Sequence, residues 1–408
     1  MNRGGNQMSE QFVNNQEMVE KLSKTLNESD WFLNQRLSAF DSLESLSKPE
    51  IERIDYSKWN LWNLPSINHK HESVNVKRED GVRILDFQTA FTEYGLFFED
   101  IYKQSTFVQR EDAFNAFTLA YLTRGIFIYA PENVKVTEPI ELDFIKNDEA
   151  ATVSHQQVLV YAGKNASIEI NEKYATDSKH KMSIHGHVDF IAEEGSLIQY
   201  FALGQLAKET TAFIRRTGKT EKDARILLAL GAMNDGNVIE DIQIQLEGQG
   251  SSSDVKTVAI SHGQQVQMIN VGLTNIGLNT DGNIFQHGVV LEQSTLSFNG
   301  IGHILRGSKY SNAQQESRVL MLSDEARADA NPILLIDEFE VQAGHAASVS
   351  RVDKEQLYYL MSRGLDQLQA EKLVILGFLG IVLKEISLPS VREQLIDRIE
   401  RKLTHYGN

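Results

Sequence analysis

The sequence predicts a mainly β chain with helical ends. Three observations carry this. Between Ile126 and Ile336, apolar residues recur at every second position in short runs. On either side the spacing changes to the three-and-four pattern of amphipathic helices. The short runs are separated by Gly, Asn, Asp and Ser, with no helical pattern of useful length between them. The expected organisation is a helical region over 1–125, a β core over 126–350 and a helical domain over 351–408.

Met18, Val19, Leu22 and Leu26 fall at helical spacing. A second helix follows, with Trp31, Phe32, Leu33, Leu37 and Phe40 on its apolar face and Ser29 or Asp30 as its cap. Residues 47–80, with Pro49, Pro65 and the polar run Asn68 to Glu72, read as irregular. A further helix is expected over 109–123, with Ala113, Phe114, Phe117, Ala120 and Tyr121 inward and Gly125 as its stop.

Ile140 to Phe144, Ala166 to Ile170 and Ile242 to Leu246 alternate cleanly, as half-buried strands do. Further strand-like runs cover Val158 to Tyr161, Leu197 to Phe201, Val255 to Ile260, Val266 to Val271 and Thr295 to Phe298. So many short strands suit a sandwich, a propeller or a β-helix. The lack of a fixed repeat disfavours the propeller. Periodicity leaves sandwich and β-helix open.

Helix returns at the C-terminus. Asp353 with Gln356 makes a capping-box-like pair, and Leu357, Tyr358, Leu360 and Met361 form an apolar face. Asp366 is placed to cap a second helix carrying Leu368, Leu373, Val374, Leu376 and Leu379. Gly377 and Gly380 weaken that helix, which implies tight packing against something. Pro389 opens a third, striped by Val391, Leu395, Ile399 and Leu403.

The chain has 408 residues, 40 basic against 56 acidic, for a net charge of −16. Binding of nucleic acid through a basic surface is therefore not expected. No apolar run reaches membrane-spanning length, and the first residues lack an apolar signal core. A soluble cytoplasmic protein is the expectation. There is no cysteine, so disulfides, thiolate metal sites and cysteine nucleophiles are excluded.

The stretch from Asn331 to Ile386 concentrates the candidate chemistry. The strand-like run Ile333 to Ile336 ends in Asp337, Glu338 and Glu340, and a turn at Gly344-His345 leads to the helices. Small neighbours leave the His345 imidazole accessible to a partner or a metal, although one imidazole is not a metal site by itself. His185 and His187 would share one side of a strand, but with no third ligand they read as a solvated face. His69 and His71 read as loop histidines. Arg215 to Thr220 contains the GKT end of a phosphate loop, with Phe213 where a glycine is required, so it reads as a polar turn and not an ATP site. Gly248 to Asp254 lacks a nucleophile elbow and reads as a flexible turn. Asp337 and Glu338 would point to opposite faces of a strand, a poor arrangement for the acid–base pair of a carbohydrate-active β-helix enzyme, the alternative to a scaffold.

Four stretches carry a family resemblance. They are Ser29-Asp30-Trp31-Phe32-Leu33 with Arg36 and Ala39-Phe40; Phe114-Asn115-Ala116 with Gly125 to Pro131 and Pro139-Ile140; Ala313-Gln314 with Leu320 to Asp324, Ala326 and Pro332; and Gly344-His345-Ala346-Ala347 with Asp353, Gln356 to Leu360, Ser362-Arg363-Gly364 and Gly377-Phe378. Together they resemble the SufB/SufD family, the scaffold proteins of SUF iron–sulfur cluster assembly. The resemblance implies a right-handed parallel β-helix between helical regions. It implies a non-enzymatic scaffold that pairs with SufB through its C-terminal rungs and docks the ATPase SufC on its C-terminal helices. A homodimer is possible in isolation. An iron–sulfur cluster would be held transiently in the complex, with no tightly bound cofactor in the isolated chain. The family's Cys-Ser-His-Gly reads here Ala343-Gly344-His345-Ala346. His345 is thus the implied cluster or iron ligand at the SufB interface, and cysteine ligands would come from SufB. The absence of cysteine favours the SufD side of the family.

Overall fold

A computed structural model describes residues 16–49, 51, 54–65, 75–78, 80–109, 112–146, 153–176, 181–385 and 389–405. A short antiparallel pair, β1 (Asn75–Lys77) and β2 (Arg83–Asp86), leads into strands that alternate between two sheets. One sheet continues through β3 (Arg124–Ala130), and the other opens with β4 (Ile140–Lys146). The alternation proceeds through β5 (Val153–Ala162), β6 (Ser167–Thr176), β7 (Met182–Ala192), β8 (Leu197–Gln205), β9 (Thr210–Thr220), β10 (Arg225–Ala232) and β11 (Asn237–Leu246). It ends with β12 (Ser252–Ser261), β13 (Val266–Asn275), β14 (Asp281–Val290), β15 (Thr295–Ile304), β16 (Asn312–Met321), β17 (Arg327–Ile336) and β18 (Gln342–Arg351).

Odd strands and the hairpin form a ten-stranded sheet; even strands form an eight-stranded one. From β3 onward all pairs within each sheet are parallel, so the chain winds as a parallel β-solenoid of about seven turns. This decides between the two all-β architectures, because a sandwich of hairpins would pair antiparallel. Partners one turn apart are separated by as few as 26 residues (Arg216 with Ile242) and as many as 32 (Thr295 with Arg327). That variation hides the repeat from a search for a fixed period.

Alternation along each strand sends every second side chain into the coil. On β9, Ala212, Ile214, Arg216 and Gly218 align with Ile184, Gly186, Val188 and Phe190 of β7 and with Val238, Glu240, Ile242 and Ile244 of β11. Most of these belong to one continuous aliphatic core. The exception is ionic. Arg216 donates to Glu172 of β6 at 2.5 Å and to Glu240 of β11 at 2.5 Å, with at most 2% of any of these side chains exposed. The triad joins the two sheets through the interior. Burial pushes the Glu240 carboxyl up, against the opposing pull of Arg216.

Helices cover the flanks. α1 (Gln16–Thr25), α2 (Asp30–Ser42), α3 (Phe87–Lys103), α4 (Thr106–Gln109) and α5 (Ala113–Ala120) precede the coil. Phe32, Phe87, Phe98, Tyr102 and Phe117 pack on Leu85, Phe127, Leu159 and Ile191 of the ten-stranded sheet. The Ser29 side chain caps α2 by accepting from the Phe32 N–H, as its sequence position suggested. The irregular reading of 47–80 missed β1, and α3 had no counterpart in the sequence reading. Asp86 caps α3 on the Thr89 N–H, but Gly95 breaks its pattern at φ 45°, ψ −117°. Gly125 is no helix stop. It lies in β3, where a Cβ would stand 2.1 Å from the Phe87 ring.

α6 (Lys354–Ser362), α7 (Gln367–Glu385) and α8 (Pro389–His405) follow the coil. Ile375 and Leu379 of α7 and Val391, Leu395, Ile399 and Leu403 of α8 pack on Phe201, Leu203, Val258, Ile260 and Val289, outside the eight-stranded sheet. α7 and α8 therefore line one side of the solenoid rather than plug its end. Asp353 caps α6 through the Glu355 N–H. The reciprocal capping box lies one helix later, between Asp366 and Gln369.

Candidate functional site: the bare last turn

β17 and β18 each end their sheet, and among the described residues neither has a neighbour on its outer edge. Each presents a row of unpaired backbone donors and acceptors. Ile333, Leu335, Ile336 and Val349 on these strands are exposed, and Phe339 in the turn between them is 98% exposed. Polar contacts punctuate the rim: His303 with Asp337 at 3.0 Å, Lys309 with Glu340 at 3.3 Å and Arg351 with Asp324 at 2.8 Å.

His345 sits within β18, not in a turn as the sequence suggested. Its register partner on β16 is Gln315, which aligns in turn with Ile284 of the inner core on β14. Alternation thus puts His345 on the inner side of the coil, at the end of the column Ile284–Gln315–His345. It is exposed, and among the described residues no turn lies above it. The inward neighbours on its own strand are Ala343 and Ala347, so a bulky group can approach the ring.

The other candidates separate from this site. His185 and His187 do share a side of β7, but that side is buried under the N-terminal helices rather than solvated. His185 faces Thr118 Oγ1 at 3.2 Å and the Leu61 carbonyl, and its ring lies tilted against His155 with centroids 4.6 Å apart. Burial pushes His185 down to about 4 and His155 well below its usual range. His187 faces Asp189 at 3.2 Å and Thr217 at 3.3 Å. Arg215 to Thr220 is strand, part of β9, and not a turn. Asp337 serves His303, while Glu338 accepts from the Gly307 N–H. Among the described residues no three His, Asp or Glu side chains gather to hold a metal ion. His69 and His71 lie outside the described residues.

One contact carried no readable sequence signal, and one apolar helix surface that the sequence did mark is left open. His287, wholly buried, bridges Glu316 at 2.8 Å and stacks on Phe378, linking α7 to the strand beside β18. α6 buries none of its residues and exposes Tyr358, Tyr359 and Met361. On α7, Leu373 and Ile381 are exposed, and Gly377 and Gly380 face open space, where tight packing was expected. The helix surface that the glycines weaken has no cover from the described residues.

A family model for the SUF system FeS cluster assembly SufBD core domain matches residues 144–378. The chain belongs to the SufB/SufD family. It is 34% identical to the iron–sulfur cluster assembly protein SufD of Bacillus subtilis, over 95% of this chain and 98% of that protein. An iron–sulfur cluster assembly SufBD family protein of Staphylococcus saprophyticus is 22% identical over 91% of this chain and 89% of its own length. One from Staphylococcus epidermidis is 24% identical over 78% and 68%. The near full-length match supports a SufD-type member of the SufB/SufD family. As in the sequence reading, no helix among the described residues is long and apolar enough to cross a membrane.

Proposed function

We propose that this chain is a non-enzymatic scaffold subunit of the SUF assembly complex, acting in the cytoplasm, that joins SufB through β17 and β18 and docks SufC on α6 and α7. The observation that carries this reading is the bare last turn. Two unpaired strand edges, a row of exposed aliphatic side chains and Phe339 converge where the coil stops. Such a surface favours another strand-bearing chain as its cover. His345 would then lie at the joint as a neutral imidazole ligand to iron or to a nascent cluster, the cargo of the assembly, with cysteine ligands from SufB. The exposed tyrosines of α6 and the open glycines of α7 suit a helix or loop of SufC packing at close range.

The test is anaerobic co-expression of the chain with SufB and SufC, with mass and iron content measured on the purified complex. Phe339→Glu with Ile336→Lys should abolish recovery of SufB while leaving the melting temperature of the isolated chain unchanged. His345→Ala should lower iron and sulfide loading without dissociating the complex. Full loading in His345→Ala removes His345 from the site, and retention of SufB by the double variant places the joint elsewhere.

A further inference from the structure

Resting on the reading of the last turn as the joint, we propose that Tyr310 and Phe339 clamp an arginine side chain of the partner scaffold. Tyr310 belongs to a column of turn residues that climbs one corner of the coil. Asn165, Gly195, Asp223, Gly250, Asn279 and Tyr310 all hold a positive φ, between 56° and 73°. Each donates its N–H to a carbonyl one turn further on, at 2.7–2.9 Å, and Tyr310 donates to Glu340. Five of the six suit that backbone: glycine lacks a Cβ, and Asn and Asp tolerate the left-handed region. A bulky tyrosine there is strained. Tyr310 is 68% exposed, so burial within this fold does not offset the strain.

Beside it stands Phe339, 98% exposed. With Asn312, Glu340 and Gln342, the two aromatic residues line an open cavity of about 440 Å³ on the rim of the last turn. Large apolar groups held in water at one spot mark a surface that a partner covers.

Two aromatic side chains and a carboxylate around one hollow select a flat cation. A guanidinium meets both demands, since it stacks on aromatic faces and its donors match a carboxylate. Glu340 already meets Lys309 at 3.3 Å, but both side chains are about half exposed, and a carboxylate can accept from a second donor. A neutral side chain would cover Glu340 without answering its charge. Net charge favours the same occupant: the chain carries −16, and Asp337 and Glu338 precede Phe339 in its loop.

Tyr310→Asn restores the residue type of the column, and Glu340→Gln removes the charge while keeping the shape. Affinity for SufB is measured by calorimetry at low and at physiological salt, beside the melting temperature of the isolated chain. Tyr310→Asn should raise the melting temperature and yet weaken SufB binding about tenfold. Glu340→Gln should weaken binding about tenfold at low salt and flatten its salt dependence. Unchanged affinity in Tyr310→Asn overturns the proposal, whatever the melting temperature does. So does Glu340→Gln binding as tightly as the unaltered chain, the result for a neutral occupant. The joint is read separately with Phe339→Glu plus Ile336→Lys. If that double variant keeps SufB, the joint lies elsewhere. If it loses SufB while Tyr310→Asn and Glu340→Gln bind normally, the joint stands and the clamp falls.

Discussion

Removing the Arg216 guanidinium should destabilise the fold in a way that acid reverses. In Arg216→Met, the Glu172 and Glu240 carboxyls stay inside the coil, with at most 2% of either side chain exposed, and lose their shared cation. Breaking a buried ion group by removing one partner costs about 3–5 kcal/mol. The carboxyls escape that penalty by staying protonated. Their ordinary value is 4.5. Keeping one protonated at pH 7 costs about 3.5 kcal/mol, at about 1.4 kcal/mol per pH unit, so two carboxyls set an upper limit of about 7 kcal/mol. Against the total stability typical of a domain, about 5–15 kcal/mol, the loss is severe. The sign follows from linkage. In the variant, Glu240 keeps the burial that raises its carboxyl and loses the Arg216 cation that lowers it, so its protonated form supports the fold at low pH and that support is lost as pH rises. Urea unfolding of the variant against the unaltered chain at pH 7 and pH 5 reads this directly. The deficit should shrink by about 3 kcal/mol or more at pH 5, and adding Glu172→Gln and Glu240→Gln should recover much of it at pH 7. A deficit under about 1 kcal/mol at pH 7, or one that grows at pH 5, refutes the reasoning.

The buried His155–His185 pair makes the opposite acid response in the unaltered chain. Burial lowers both groups, His185 to about 4, so the unfolded chain takes up protons first as pH falls below 6.5. Stability should then fall by up to about 1.4 kcal/mol per pH unit for each histidine between pH 6.5 and 4, and urea midpoints of His185→Phe should show a shallower slope. Gly125→Ala drives a Cβ to within 2.1 Å of the Phe87 ring and should lower stability by about 1–3 kcal/mol, read as a drop in melting temperature. Gly377→Ala meets only open space, so the isolated chain should gain about 0.5–1 kcal/mol from helix propensity, while SufC affinity measured by calorimetry falls if SufC packs there.

Much of the architecture was legible because two of its signals are local. Alternation marked β4, β6 and β11, and the side chains of Ser29 and Asp353 announced two helix starts. What stayed hidden depends on partners distant in sequence. The strand β7 reads Met182 to Ala192 with both faces buried, so it lacks the polar–apolar contrast that alternation needs. The same two-sided burial turned His185 and His187 from an expected wet face into core. Arg215 and Arg216 looked like a solvated turn, yet each is buried against carboxylates on neighbouring turns. The position of His345 was marked by its small neighbours, but its strand was not, since Ala343 to Ala347 carries no β-branched residue. Its inward direction comes only from the register.

The order in which the chain is made bears on how its flanks are dressed. Leu203 waits for Leu403, a member of the same apolar layer outside the eight-stranded sheet. At ordinary synthesis rates that interval is roughly 10–40 seconds. During it, Phe201, Val258 and Val289 present a greasy wall to the surrounding medium. A ribosome stalled before the final helices would leave a coil already wound yet half unclothed. Truncations near residue 366 should therefore clump rather than merely lose the docking platform proposed above.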